Sequence, residues 1–366
     1  MTRSEIEVET GISRAVKRTA SAHKLHKAMN RIQSDSPRVS VASPLYRSAR
    51  FFETIVANIE AMPKTGVEIL ISDRHGYDDT LDRLRQRYGG DPRLRFFQKR
   101  DELDWVGNIN FLLQQARGEY WRFMAHDDLS PAGNLELLIA ALDTHPDAVL
   151  AYAHIEAIDL EGNLIPRTGD HWYPQPKQAD VHWNLGVALE MCWNFFHFDG
   201  AFQGLVRRAA LVERDLLIRS TLGQVFPERG WQFALCLLGR FHFVPEARYI
   251  KAYYPESTHR RWEVTGRNFY SLAWAYSSYL WRFLGLSPAC CYAIWDVWWN
   301  ARKLARWQDD PDRRVTPLLG PAPDPLGWLA AQLAPYDPAP WLQEFFRARQ
   351  EKICSLRASP LPARRR

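Results

Sequence analysis

What this 366-residue sequence lacks narrows its class before any motif is read. No stretch approaches the ~20 consecutive apolar residues needed to cross a bilayer. The nearest run, Phe269 to Leu286, is interrupted by Arg282 and several serines. The basic stretch from Arg14 to Arg31 is followed by no apolar core, so no secretory signal is expected. The expectation is a cytoplasmic protein, with peripheral membrane contact as an alternative setting. The five cysteines, Cys192, Cys236, Cys290, Cys291 and Cys354, show neither CxxC spacing nor a paired framework. That argues for reduced thiols over a zinc site or a disulfide scaffold. The net charge of +5 is too weak to argue for nucleic acid, though it suits an acidic substrate or an anionic membrane surface. There is no internal repeat. The loop from Ser43 offers only Arg47 and Arg50, which leaves a nucleotidyltransferase without a phosphate-gripping first loop.

What is present begins with a balance of 46% hydrophobic and 24% charged residues, ordinary for a globular chain. Tryptophan is not ordinary: of 15 residues, all but Trp105 and Trp121 lie at or beyond Trp172. Residues 1–37 read as a basic N-terminal arm, with six Lys/Arg and no acid between Thr10 and Ser34. From Val39 the pattern changes to alternating short β-rich runs and helices of 3.6-residue period. Strands are predicted at Val39–Ala42, Val67–Ser72, Leu94–Phe97, Tyr120–Met124 and Ala148–Tyr152. Helices are predicted around Phe51–Met62, after an Asp79 cap, at Trp105–Ala116, and from Ser130-Pro131 with Ser as cap. Such alternation implies a mainly parallel sheet covered on both faces, with ligands bound at the strand ends. Further on, Asp159–Asn163 reads as a hairpin turn, Ala201–Arg214 and Trp231–Leu238 as helices, and Phe241–Val244 as a strand. Two aromatic helices span Phe269 to Trp307, broken at Gly285–Pro288, and a last helix, Trp341–Leu356, precedes a basic tail.

Three segments carry chemistry. Tyr120–Asp128 (YWRFMAHDD) is a strand that delivers two adjacent carboxylates to the sheet edge. Mg²⁺ or Mn²⁺ takes oxygen ligands, usually one or two carboxylates plus substrate phosphates. Such a pair could hold a metal on a diphosphate, or it could simply cap the next helix. Ile69–Thr80 (ILISDRHGYDDT) places Asp73 directly after a buried strand, where an acid either binds a base or ribose or ties down the turn. Val39–Tyr46 (VSVASPLY) ends at Pro44, a rigid lip from which Tyr46 could flank a nucleotide.

Together with Ala116-Arg117-Gly118-Glu119-Tyr120, these segments resemble family 2 glycosyltransferases, collinear over about 120 residues. The resemblance implies a GT-A-type, Rossmann-like α/β fold: a mainly parallel sheet flanked by helices, here with a helical, aromatic-rich C-terminal extension. The implied glycosyltransferase domain runs over 38–262, with a nucleotide-binding half at 38–160 and an acceptor half at 161–262. A helical and Pro-rich region, 263–366, follows. By the resemblance Pro44, Tyr46, Asp73 and Asn110 contact the donor, Asp127 binds the divalent cation, and Asp128 supports it on the donor side. Ala125 replaces the first carboxylate of the family's Asp-x-Asp.

An inverting transfer needs a carboxylate to take the acceptor's proton. In the family this acid lies just before a helix that leads to Gly-Arg-Phe, which here points to Glu228, or to a helix-capping acid at that place. Asp199 and His259 fall where the family contacts acceptor or diphosphate. The implied function is an inverting, nucleotide-sugar-dependent hexosyltransferase acting on a glycan, lipid-linked or protein acceptor. A catalytically silent nucleotide-sugar-binding or scaffold protein of the same fold is the alternative. The Trp274, Trp281, Trp295, Trp298 and Trp299 stripe reads as core, as a homo-oligomer interface, or as a membrane-surface contact; Trp172, Trp183 and Trp193 read as sugar-stacking or lid aromatics.

Overall fold

The computed structural model describes residues 36–73, 76–98, 103–165, 185, 188–189, 200–257, 261–310, 322, 351 and 355. The basic arm up to residue 35, Trp172, Trp183, Trp193, Asp199, His259 and nearly all of 311–366 lie outside the described residues.

In chain order the elements are β1 (Val39–Leu45), α1 (Phe52–Ala61), β2 (Val67–Asp73), α2 (Thr80–Tyr88), β3 (Leu94–Gln98), α3 (Trp105–Gln115), β4 (Tyr120–Phe123), α4 (Asn134–Thr144) and β5 (Ala148–Ile158). They continue with β6 (Leu205–Arg207), α5 (Arg208–Val212), α6 (Pro227–Cys236), β7 (Arg240–Ala252), α7 (Gly266–Leu284) and α8 (Pro288–Asp309). The seven strands form one sheet in the order β3-β2-β1-β4-β6-β5-β7. β1, β2, β3 and β4 run parallel, β6 is antiparallel to both β4 and β5, and β7 is parallel to β5. This is the mainly parallel, helix-flanked sheet that the resemblance implies.

Strand alternation sends successive side chains to opposite faces, and both faces are apolar because both are covered. Val39, Val41, Ile69, Ile71 and Tyr120 pack with α1, α2 and α4. Ala42, Leu70 and Trp121 face the other way, into a core shared with α3, α6, α7 and α8. The C-terminal helices thus complete the second face of the same sheet. Thr265 and Asn268 form a capping box at the start of α7, and Ser287 caps α8 by accepting from Cys290 N at 3.1 Å.

The Ala-x-Gly-Glu-Tyr segment has a packing reason. A side chain at Gly118 would approach Ser40 N to 2.6 Å, so only glycine lets the chain enter β4 there. Buried Glu68 accepts from Ser40 Oγ and from the backbone N–H and guanidinium of Arg117, which binds this crossing to β2.

Three expectations need correction. The helix expected over Ala201–Arg214 is instead β6 followed by the short α5, because the segment inserts between β4 and β5. Gly204 runs so near β5 that a Cβ would sit 2.7 Å from Ala151 O. Ser130 does not cap α4, which begins at Asn134 after Gly133 (φ +81). Ser130 is buried, and its hydroxyl accepts from Arg122 and Asn134, both at 3.0 Å. Finally, β5 and β7 are longer than the apolar runs that signalled them, since their far halves pair with each other.

Candidate active site

β2 and β4 flank β1 and run parallel to it, so Asp73 and the loop after Phe123 leave the same sheet edge. Two strand spacings, about 10 Å, separate the two strands. Pro44 and Leu45 sit between them in register with Ser72 and Asp73. Asp73 is buried, and its Oδ1 accepts from Gly76 N at 3.1 Å, so it does tie down the turn after β2. Tyr46 stands at the lip, 44% exposed, with its ring edge-on to Tyr77 at 5.4 Å and Arg47 over both rings.

The Asp127-Asp128 loop is held by elements distant in sequence. Leu129 and Ile250 exchange backbone hydrogen bonds at 2.8 and 2.9 Å, which clasps the loop to β7. Asp128 faces inward, 3% exposed. Its Oδ1 accepts from Ala252 N and its Oδ2 from the Tyr249 hydroxyl, both at 3.0 Å. Asn58 donates to its carbonyl and accepts from Ser130 N. Burial, and then the neighbouring Asp127 charge, push the Asp128 carboxyl up to about 7. Expected at the donor, Asp128 instead faces the interior, where β7 occupies both of its carboxylate oxygens.

Asp127 is the half-buried member of the pair. Its Oδ2 accepts from the Tyr254 hydroxyl at 2.6 Å. Tyr254 packs on Phe51, which also contacts His126, and Arg50 lies over the rings of both Tyr254 and Phe51. Asp127 Oδ1 has no hydrogen-bond partner among the described residues, and no cluster of three or more His, Cys, Asp or Glu suited to a metal occurs among them. One carboxylate with a free oxygen at a strand end fits a hard cation that keeps waters and takes phosphate oxygens. It does not fit a cage made by the protein alone.

Asn110, also expected at the donor, is occupied elsewhere. Its amide donates to Ile218 O at 2.8 Å and accepts from Ile218 N at 2.9 Å, pinning that segment onto α3. Asn108 accepts from Ser72 Oγ at 2.6 Å and is buried.

Glu228 lies in the first turn of α6, behind Phe226, whose backbone is left-handed (φ +60). A bulky residue seldom adopts that region, least of all before proline. Its ring is held between Trp262 and Phe269. The Glu228 side chain is 19% exposed, with Oε1 3.9 Å from Arg229 Nε and Oε2 buried without a partner among the described residues. Burial pushes its carboxyl up, against the opposing charges of Arg229 and Lys251.

Lys251, on β7, was not anticipated from sequence. Its charge acts on Asp128 and on Glu228 alike. Behind them, Trp231 of α6 packs on Trp121 of β4.

Residues 40–208 match the family model described as Glycosyl transferase family 2. A Campylobacter jejuni GalNAc(5)-diNAcBac-PP-undecaprenol beta-1,3-glucosyltransferase is 32% identical over 133 residues, covering 35% of this chain and 41% of that protein. The chondroitin synthase of Escherichia coli is 28% identical over 137 residues, 37% of this chain and 20% of that one. The chain thus spans less than half the length of these curated relatives. Among solved structures, S. aureus TarS 1-349 in complex with UDP-GlcNAc superposes with a TM-score of 0.52 at 18% identity, covering 72% of each chain, a likeness of fold. Residues 40–208 are thus similar to glycosyl transferase family 2, on a sheet whose fold is also that of the solved glycosyltransferase structure.

Proposed function

We propose that this protein is an inverting glycosyltransferase that moves a sugar from a nucleoside-diphosphate sugar to an acceptor hydroxyl. The observation that carries the reading is Asp127, held through Oδ2 by the Tyr254 hydroxyl at 2.6 Å on the sheet edge that Asp73 also leaves. Donor-binding neighbours of the same fold, such as TarS with UDP-GlcNAc, support a nucleotide sugar as the donor class.

Tyr46 and Pro44 form the wall of the nucleotide site, with Asp73 two strands from Asp127 on the same edge. Asp127 would hold Mg²⁺ or Mn²⁺, which would supply positive charge to neutralise the departing diphosphate. Tyr254, Tyr249 and Asn58 fix Asp127 and its loop, so the carboxylate is already oriented when donor arrives. Glu228 takes the proton of the acceptor hydroxyl as that oxygen attacks the anomeric carbon from the side opposite the diphosphate. The C–O bond to the acceptor forms as the bond to the diphosphate breaks, and the proton rests on Glu228 Oε. Burial raises the carboxyl's proton affinity, which strengthens it as a base. The acceptor class is a glycan, a lipid-linked sugar or a protein side chain.

Ala125 favours a second reading, a catalytically silent nucleotide-sugar-binding protein, because one carboxylate of the usual pair is missing. Titration of UDP and GDP with and without Mn²⁺, followed by a donor-hydrolysis screen, separates the two. Binding with turnover supports transfer, and binding without turnover supports the silent reading. Absence of nucleotide binding overturns the transfer reading and favours a silent scaffold.

A further inference from the structure

The helical hairpin formed by α7 and α8 buries one face in the core and leaves the other bare. On α7, Tyr270, Trp274 and Trp281 are 38%, 70% and 55% exposed, and Leu286 at the hairpin turn is 81% exposed. At 100° per residue the three aromatics fall within an arc of about 40°, so they form a single stripe along the helix. Exposed apolar residues scattered singly need no explanation, but a contiguous patch marks an interaction surface. The stripe continues onto α8: Tyr270 stacks on Trp298 with centroids 6.0 Å apart, and Trp298 Nε1 donates to Ser277 Oγ at 3.0 Å.

Charge selects the occupant. Between Gly266 and Asp309 the sequence has five cations, Arg267, Arg282, Arg302, Lys303 and Arg306, and two acids, Asp296 and Asp309. Asp296 is buried and accepts from Ala322 N at 2.6 Å, and Asp309, at the hairpin's open end, accepts from Gly266 N at 2.7 Å, so the exposed charge between the two ends is positive. Arg302 and Lys303 lie beside the Trp299 ring. An isologous contact between two copies would set these cations against themselves. A surface combining tryptophan, tyrosine and leucine with arginine and lysine matches the headgroup region of an anionic bilayer, where aromatic rings sit at the interface and cations meet lipid phosphate. No helix among the described residues is long and apolar enough to cross a membrane, so the contact would be superficial.

We propose that the exposed face of the α7–α8 hairpin docks the protein on an anionic lipid bilayer. Through α7, whose Ala275 and Tyr279 lie against Gly230 of α6, the docked face is one helix layer from the turn that carries Glu228. The proposal stands apart from the transfer reaction, and its test needs neither donor nor acceptor.

The test is sedimentation of the full chain with phosphatidylcholine vesicles, with and without phosphatidylglycerol. Wild type should pellet with the phosphatidylglycerol vesicles, release at high salt, and show a blue shift of tryptophan emission. Trp274→Ser with Trp281→Ser should lower the vesicle affinity by about tenfold or more. Arg267→Glu with Arg302→Glu should remove the preference for anionic lipid and leave the aromatic face intact. Both positions of the tryptophan pair are exposed, so an unchanged melting temperature would confirm that the variant is folded. Wild type that stays in the supernatant, equal binding to both vesicle types, or full binding by the tryptophan pair variant would each overturn the proposal. So would a dimer in solution that the tryptophan substitutions abolish without any vesicle binding by wild type, which would make the face a contact between two copies.

Discussion

The indole of Trp231 lies edge-on to that of Trp121, with ring centroids 5.6 Å apart and planes at 76°. Both rings are fully buried, and Trp231 Nε1 donates to Leu216 O at 3.2 Å. The pair fastens the strand that delivers Asp127 to the helix that opens with Glu228. Trp231→Ala should cost about 3–5 kcal/mol of stability, read as a lowered denaturant midpoint. Trp231→Phe keeps an aromatic ring, so it should cost less and retain more turnover.

Tyr254→Phe removes one hydroxyl from beside Asp127 and little else. With the ring still packed on Phe51, stability should fall by only about 1 kcal/mol. The concentration of Mn²⁺ giving half-maximal donor turnover should change by several-fold, because Asp127 loses the bond that orients it. An unchanged metal requirement would remove Tyr254 from the site.

Glu228→Gln should cut transfer by about 10²–10⁴-fold while nucleotide affinity, measured by calorimetry, stays near wild type. The base works only when ionised, and burial raises its carboxyl above the ordinary value of 4.5. The acid limb of the rate profile should therefore lie at higher pH than an exposed glutamate would give, and it should vanish in the variant. The unfolded chain ionises this group first. Its contribution to stability is thus complete below 4.5 and is lost as pH rises through the folded-state pKa. Glu228→Gln should flatten that fall.

Tyr46→Ala should weaken nucleotide binding by about tenfold if the ring stacks on the base, since such stacking contributes about 1–3 kcal/mol. Tyr46 is 44% exposed, so folding should be unaffected. Loss of affinity without loss of melting temperature is the expected pattern.

The strand ends were readable because each parallel strand is a short apolar run closed by a helix start, and parallel pairing aligns those ends automatically. Asp73 and Asp127 could therefore be assigned to one edge from order alone. The supports of Asp127 could not. Tyr254 and Tyr249, which hold Asp127 and Asp128, come from β7 and the turn after it, more than 120 residues away, and nothing local in the sequence announces that β7 is the strand that clasps the Asp127 loop. β6 was read as helix because three residues give no period, and the glycines that let it approach β5 look like ordinary loop residues. The Asn110 side chain looked free for a ligand because its partner, Ile218, contributes only backbone atoms, which no side-chain pattern reveals.

Calorimetry of UDP and GDP binding with and without Mn²⁺, for wild type and Asp127→Ala, tests the proposed role of Asp127 most directly. At least one of the two nucleotides should bind wild type more tightly when Mn²⁺ is present, and that enhancement should disappear in the variant. Equal enhancement in both proteins, or no binding of either nucleotide to wild type, would contradict it.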